Sequence, residues 1–485
     1  MTTVSGYTSE HALELEQLLA SPQWRRAIDS GLVEQARAGT IKPGRTRGFI
    51  DTVVDQLVAL NGGRVDELIA AGCRDAGRLL DALATWPHGL GGKDPRITFL
   101  GINLTSCCNF TPRCIYCNQP AVDDKVGLDG WKRVIDEATR GITPGGDGPY
   151  IYLTGGEPLL LGEAVWGDGG IVRYATERGA GVNVNTNAAA LSPEVALRLV
   201  KAGTAKLHVS FDTPDRALQN ILCSGDRFDR ILEGIYNVQI ARDLAGTSYP
   251  VIHTNCVLTN RNLDTFPQLF GFILDKHRQT ATREDPFFND LFPHVIPVGG
   301  EGNAGLRPSE AEFRRFYEKV WPDVCSMWDA FQARLGVEKE KRGALFGYFS
   351  NPFLRVEHKG GLDAYARTSA DGRYGRLALC RRCYVAPTQA AFTPDGLQFR
   401  CGCHAIRRIL PVGNIREGGM FDSIRAGVEG LASLPAEEHC DGCALATLYI
   451  NQSVEQKLKG YVDQRLKQQS EQPEAGAGRN AGDKA

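Results

Sequence analysis

The sequence predicts an α/β fold built as a partial (β/α)6 barrel, with a helical stretch ahead of it and a small cysteine-rich region behind it. Three observations predict this. Residues 1–95 carry apolar residues at helical spacing, short β-rich runs alternate with helical segments from Arg96 onward, and the last third holds six cysteines in three pairs. A chain of 485 residues has room for two or three domains and a large core.

In the first stretch, His11–Ala20, Gly48–Leu60 and Val65–Leu83 read as helices, punctuated by Asn61-Gly62-Gly63 and by Gly89-Leu90-Gly91-Gly92. Cys73 falls within the third and reads as a small core residue. Residues 1–95 are thus expected to form a helical extension that either docks a partner or packs on the barrel.

The barrel is expected over 96–305. Its strand candidates are Ile97–Leu104, Tyr150–Thr154, Val182–Thr186, Leu207–Phe211, Val251–Thr259 and His294–Val298. Between and after them helices start credibly: Ser192-Pro193 supplies an N-cap with proline in the first turn, and Ser309-Glu-Ala-Glu312 is a capping box. Six βα units make a partial, TIM-like barrel, in which functional residues sit at the C-terminal ends of strands. A helical connector follows over 306–375, then the cysteine-rich domain over 376–467. The polar tail from Gln468 is expected to be disordered.

Charge is nearly balanced, with 55 basic and 57 acidic residues, which argues against nucleic acid or an anionic membrane as a partner. No stretch is long and apolar enough to span a bilayer. Met1-Thr-Thr-Val-Ser-Gly6 lacks the basic and apolar runs of a secretion signal. With fourteen cysteines, that points to a cytoplasmic protein whose thiols are metal ligands rather than disulfides.

After the first strand comes Cys107-Cys108-Asn-Phe-Thr-Pro-Arg-Cys114-Ile-Tyr-Cys117. Three local thiols suit an iron–sulfur cluster or zinc, and three rather than four leave a coordination position open for chemistry. Cys108, Cys114 and Cys117 make one compact loop, with Cys107 as the alternative first ligand. After the second strand comes Thr154-Gly155-Gly156-Glu157-Pro158. Two glycines let a ligand approach the backbone, and the acid can hold an ammonium group. Alone, the same four residues read as a tight turn.

Together, the cysteine loop and the Gly-Gly-Glu-Pro segment about forty residues on resemble the cluster loop and SAM-amine site of the radical S-adenosylmethionine (radical SAM) enzymes. The family usually has three residues between its first two cysteines. Here there are five, as if Thr111-Pro112 had been inserted. The resemblance implies that Cys108, Cys114 and Cys117 hold a [4Fe–4S] cluster whose open iron binds SAM. It implies further that one electron, from an external flavodoxin- or ferredoxin-type reductant, cleaves SAM to methionine and a 5′-deoxyadenosyl radical. That radical then removes a hydrogen atom from an unactivated substrate carbon.

By the same resemblance, Asn187, Ser210, Asp212 and the Thr254-Asn255 pair touch the methionine carboxylate or the ribose, although each reads equally well as a strand-end cap. Pro297–Asn303 resembles a glycine-rich segment bordering that pocket. Cys223 is expected in a mouth loop, where its thiol is a candidate hydrogen-atom donor or an ordinary loop cysteine. Cys256 and Cys325 read as core residues.

The second cysteine group comprises Cys380 and Cys383, Cys401 and Cys403, and Cys440 and Cys443. Zinc is the ordinary reading of such pairs. Yet Cys383, Gly396-Leu-Gln-Phe-Arg-Cys401, Val412-Gly-Asn-Ile415 and Cys440-Asp-Gly-Cys443 together resemble the auxiliary-cluster domain of radical SAM enzymes, of the SPASM or shorter twitch type. This implies one auxiliary [4Fe–4S] cluster on Cys383, Cys401, Cys440 and Cys443, with Cys380 and Cys403 as alternates. An oxidoreductase of natural-product biosynthesis is the expectation, its substrate a sugar- or aminocyclitol-like intermediate that is oxidised, epimerised or rearranged. The alternative is a maturase of a ribosomally made peptide. From another class, the alternative is a non-catalytic zinc protein.

Overall fold

The computed structural model describes residues 6–46, 48–87, 90, 93–119, 121–122, 126–142, 147–277, 292–299, 301–342, 361–377, 379–431, 440, 443 and 445–470. The expected punctuation at Gly89, Gly91 and Gly92 and the tail beyond Ser470 lie outside them.

Three short helices open the chain: α1 (Ser9–Leu19), α2 (Pro22–Asp29) and α3 (Leu32–Gly39). They are moored to the barrel by polar contacts, of which those of Trp24 and of His11 with Gln239 are buried. Trp24 is fully buried and donates through Nε1 to Asn237 at 2.8 Å. The Lys276 ammonium lies 2.8 and 2.9 Å from the two Glu14 oxygens, and His11 Nε2 meets Gln239 at 2.9 Å. The extension is not wholly helical, because β1 (Arg45–Thr46) pairs in parallel with β3 (Asp147–Gly148).

Beyond β1, α4 (Phe49–Ala70) runs straight through Asn61-Gly62-Gly63, which was expected to separate two helices. Tertiary contacts explain why. Asn61 Nδ2 donates to the Leu83 and Thr85 carbonyls at 2.8 and 2.9 Å, and a Cβ on Gly62 would sit 3.2 Å from the Tyr461 hydroxyl. Propensity is a weak prior that such contacts override. Cys73 lies in the turn before α5 (Ala76–Leu83), not inside a helix.

Six parallel strands follow: β2 (Phe99–Thr105), β4 (Tyr150–Gly155), β5 (Gly181–Thr186), β6 (Lys206–Ser210), β7 (Val251–Leu258) and β8 (Phe292–Pro297), adjacent in that order. Each starts within two residues of its expected position. Between them run α6 (Leu128–Ala138), α7 (Glu163–Trp166), α8 (Ile171–Glu177), α9 (Pro193–Lys201), α10 (Arg216–Leu222), α11 (Phe228–Ala245) and α12 (Phe266–Lys276). The strands alternate in a way that a helix-coated barrel requires. In β5, Val182 and Val184 belong to the hydrophobic core, while Asn185 lines the interior cavity. Ser192 caps α9, and the expected capping box at Ser309 and Glu312 opens α13 (Glu310–Arg315). The connector continues with α14 (Trp321–Arg334) and α15 (Gly361–Asp371).

The cysteine-rich region is built into this body. Its strand β9 (Gln389–Phe392) pairs in parallel with β2, from Phe99↔Gln389 to Ile102↔Phe392, and β10 (Leu397–Phe399) and β11 (Gly413–Asn414) extend the same sheet. After α16 (Gly402–Arg407) and α17 (Met420–Leu431) comes α18 (Leu445–Ser470), a long helix that takes in Gln468, the first residue of the expected tail. A second core joins Val53, Leu57, Val65, Leu79 and Leu83 of α4 and α5 to Val454, Leu458 and Val462 of α18.

Candidate active site

The sharpest constraint lies where β2 and β4 end side by side. Gly156 N donates to Thr105 O at 2.6 Å and Glu157 N to Cys107 O at 2.8 Å. A Cβ on Gly156 would fall 2.0 Å from Cys107 O, and one on Gly155, where φ is +140°, 2.3 Å from Thr105 O. The two glycines are therefore required by the cysteine loop itself, whose backbone presses on them, before any ligand enters. Both still line the cavity.

That cavity, about 370 Å³, occupies the C-terminal end of the barrel. Cys108, Cys114 and Cys117 line it together with Asn185, Asn187, Ser210 and Asn255, and so do Pro297, Val298 and Gly299 from the glycine-rich segment. Cys107 is exposed and is not among its walls. Burial pushes the Cys108 thiol up, and Glu157, Cys114 and Cys117 add to the rise by repulsion, so the three thiols face one another. Cys108 Sγ accepts from Phe110 N at 3.4 Å and from Asn187 Nδ2 at 3.7 Å, as a cluster thiolate does. Among the described residues, no three His, Cys, Asp or Glu side chains close round a single metal ion.

Several supports of the loop were not visible in the sequence. Arg113 ties it shut through Gln119 O at 2.7 Å and Ser106 O at 2.6 Å, while Arg227 reaches Thr111 O at 3.3 Å and covers the Phe110 ring. Ile115 N donates to Leu222 O at 3.0 Å, and Asn303 Nδ2 donates to Tyr116 O at 2.9 Å. Thr111, one of the two extra residues, is thus held from the turn before α11, and Ile115 is held from α10. Motif spacing alone carries no signal for such partners.

Three expected cofactor contacts sit elsewhere. Glu157 is 0 % exposed and does not line the cavity. Its Oε1 accepts from Thr186 Oγ1 at 2.8 Å and Leu159 N at 3.1 Å, and its Oε2 from Asn187 N at 2.7 Å. It braces β4 against β5 instead of reaching toward an ammonium group, and burial lifts its pKa to about 7 despite those donors. Asp212 is likewise buried, accepting from Tyr116 Oη at 2.6 Å and Val257 N at 2.7 Å, with its pKa pushed up to about 6 by burial. Pro158 is buried at the start of a 3-10 turn. Asn187 and Ser210 remain on the cavity wall.

Cys223 was expected in a mouth loop, yet it caps the C-terminus of α10, is 1 % exposed, and lines the cavity next to Cys114. Gln219 Nε2 lies 3.1 Å from its sulfur. The two thiols are neighbours: Cys223 holds the Cys114 thiol below its ordinary pKa, while Cys114 and burial push Cys223 up. Cys256 is buried as expected, and Cys325 is half-buried.

The second cysteine group also converges. Burial, with repulsion from Cys401 and Cys440, pushes Cys383 up to about 12; Cys443 is affected by Cys383, Cys401 and Cys440, and its side chain is hydrogen-bonded to Cys403. Cys403 also pushes the Cys401 thiol up, and Cys383 and Cys440 add to the rise that burial gives Cys380. Beside them, Arg400 Nε and Nη1 are buried without a hydrogen-bond partner among the described residues. An orphaned guanidinium against clustered thiols fits a group of negative charge.

A family model described as the Radical SAM superfamily matches residues 102–273. An AdoMet-dependent heme synthase from Methanosarcina barkeri is 30 % identical over 330 residues, 65 % of this chain and 78 % of that protein. The chain belongs to the radical SAM superfamily. It is a radical SAM enzyme, with a [4Fe–4S] cluster and SAM as cofactors, which sets aside the non-catalytic zinc alternative. A PqqA peptide cyclase from Rhodopseudomonas palustris is 28 % identical over 36 % of this chain and 42 % of its own, and the mycofactocin maturase MftC of Mycobacterium tuberculosis is 27 % identical over 41 % and 48 %. The chain thus spans less than half the length of these two relatives. A structure of Streptococcus suis SuiB bound to precursor peptide SuiA aligns over 77 % of this radical SAM chain and 76 % of that one, at 16 % identity and a TM-score of 0.47. No helix among the described residues is long and apolar enough to cross a membrane.

Proposed function

We propose that this radical SAM enzyme modifies a ribosomally made peptide, with its SAM cluster on Cys108, Cys114 and Cys117 and an auxiliary [4Fe–4S] cluster on Cys383, Cys401, Cys440 and Cys443. One observation carries the cluster assignment: three thiols share the wall of one cavity with Gly155, Gly156, Asn187 and Ser210. When bound, the cluster and SAM supply a primary carbon radical that removes a hydrogen atom from the substrate. This chain's own residues do the rest. Gly155 and Gly156 bring the β4 end against the cysteine loop, Asn187 and Phe110 N hydrogen-bond the Cys108 sulfur, and the barrel wall excludes water.

The substrate class rests on the relatives. Two of them are named for a peptide cyclase and a maturase, and none that we describe is named for a sugar or an aminocyclitol, so the sugar reading loses its lead. A second reading, a heme-like small molecule, is favoured by the breadth of the heme synthase match. The pocket region of the auxiliary domain supports either, since Gly402, Ala405 and Ile406 line the same cavity as the cysteine loop.

Iron and sulfide per chain after anaerobic reconstitution test the clusters. About eight irons should fall to about four in the Cys108/Cys114/Cys117 triple alanine variant. A wild-type value of about four would remove the auxiliary cluster. For the substrate, 5′-deoxyadenosine formation is measured against panels of precursor peptides, tetrapyrroles and aminocyclitols. Stimulation by an aminocyclitol and by no peptide would overturn the peptide reading.

A further inference from the structure

Beside the cavity, the barrel interior carries a polar layer. Inward positions of three neighbouring strands carry His208 on β6, His253 on β7 and His294 on β8, stacked with ring centroids 5.5 Å (His208–His253) and 5.2 Å (His208–His294) apart and planes within 17°. Tyr152, which lines the cavity, meets His208 edge-on at 5.7 Å, so the layer adjoins the cavity. Register sets Asn183 opposite both Tyr152 and Lys206.

This layer is unsatisfied. Asn183 is 0 % exposed, and neither its Oδ1 nor its Nδ2 has a hydrogen-bond partner among the described residues. His208, 7 % exposed, leaves Nδ1 unpartnered in the same way. Buried polar groups are nearly always paired, so a whole carboxamide left open marks a place for a polar occupant. Burial, with repulsion from Lys206, holds all three imidazoles below their ordinary range, so the rings are neutral and Lys206, itself lowered to about 8 by burial, is the cation acting on them. Near-parallel ring planes do not aim three nitrogens at one point, and no three-ligand metal group is found among the described residues.

We propose that this layer is an anion subsite that receives a carboxylate of the substrate next to the reaction cavity, behind Tyr152. Asn183 Nδ2 and the imidazole N–H groups are its donors, and Lys206 supplies charge from the same strand as His208. The inference rests on the cavity being the reaction chamber, and it holds for a peptide with an acidic side chain or terminus as well as for an acidic small molecule. An acid at this depth orders the far end of the substrate and so fixes which carbon lies at the cluster end.

Full-length, cluster-loaded protein labelled with 13Cε1-histidine is titrated with sodium propionate and, in parallel, with the neutral isostere propionamide, at constant ionic strength. Of the nine histidines, those at 208, 253 and 294 are assigned by single His→Gln variants. Propionate should move these three resonances at concentrations about tenfold below any effect of propionamide. The groups facing the rings that titrate alongside them are Lys206 on β6 and Tyr152 on β4. Asn183→Asp supplies an internal carboxylate; it should raise the imidazole pKa values and abolish the propionate response. Equal responses to both ligands, or none, would overturn the subsite and leave a layer filled by water. SAM cleavage by the same wild-type sample is a separate readout: its loss would implicate the cavity assignment, while its persistence without a propionate response would dismiss only the anion.

Discussion

Cys114 and Cys223 lie side by side on the cavity wall, and that placement decides what Cys223 is for. A thiol that is 1 % exposed and next to Cys114 is placed to steady a cluster sulfur. Cys223→Ala is therefore expected to make the reconstituted protein lose iron to a chelator about tenfold faster while SAM cleavage continues. Unchanged iron loss together with an altered product would restore the hydrogen-donor role. Glu157 makes a second prediction at this scale. Its folded pKa of about 7 stands above the ordinary 4.5, so the folded chain binds more protons between those values. The stability from this group is complete below the lower value and is lost as pH rises through the upper one. The span is on the order of 3 kcal/mol. Wild type should lose more thermal stability between about pH 5 and about pH 8 than Glu157→Gln does. Parallel pH profiles would show that the carboxylate is ionised throughout.

Elements differ in how much of them the sequence discloses. The six barrel strands were legible because β-branched residues alternate with polar ones between turn signals, and because a helix start such as Ser192-Pro193 is chemically local. The cysteine loop and the Gly155-Gly156 pair were legible as a motif, but the reason for the glycines was not, since Cys107 O comes from another strand's end. In α4 the Asn61-Gly62-Gly63 break failed because its partners lie on α5, the segment after it and α18. In α18 the apolar stripe is diluted by Asn451 and Glu455, both buried on the face that holds residues 381–385. Asn61→Ala tests the α4 account. It leaves two carbonyls, of Leu83 and Thr85, without their donor and should cost about 1–3 kcal/mol, read as a lower urea midpoint at constant m. An unchanged midpoint would mean that the helix passes through Gly62-Gly63 for some other reason.

At the scale of the whole molecule, the cysteine-rich region and the N-terminal extension share one core. α18 packs on α4 and α5, and the same helix places the second cysteine group: Asn451 Oδ1 accepts from Tyr384 N at 2.6 Å, Asn451 Nδ2 reaches the Cys383 sulfur at 3.8 Å, and Trp86 Nε1 donates to Tyr384 O at 2.9 Å. Cys383 is thus positioned by residues from both ends of the chain. A cavity cut into this shared core should then be felt at the cysteines. Leu458 is fully buried there, and Leu458→Ala should cost about 2–5 kcal/mol. The barrel has its own core and its own cluster loop, so the loss of iron should be partial, from about eight toward about four per chain. If the stability falls while the iron stays at its wild-type value, the cysteine group holds itself together, and α18 serves only to bind the two ends of the chain.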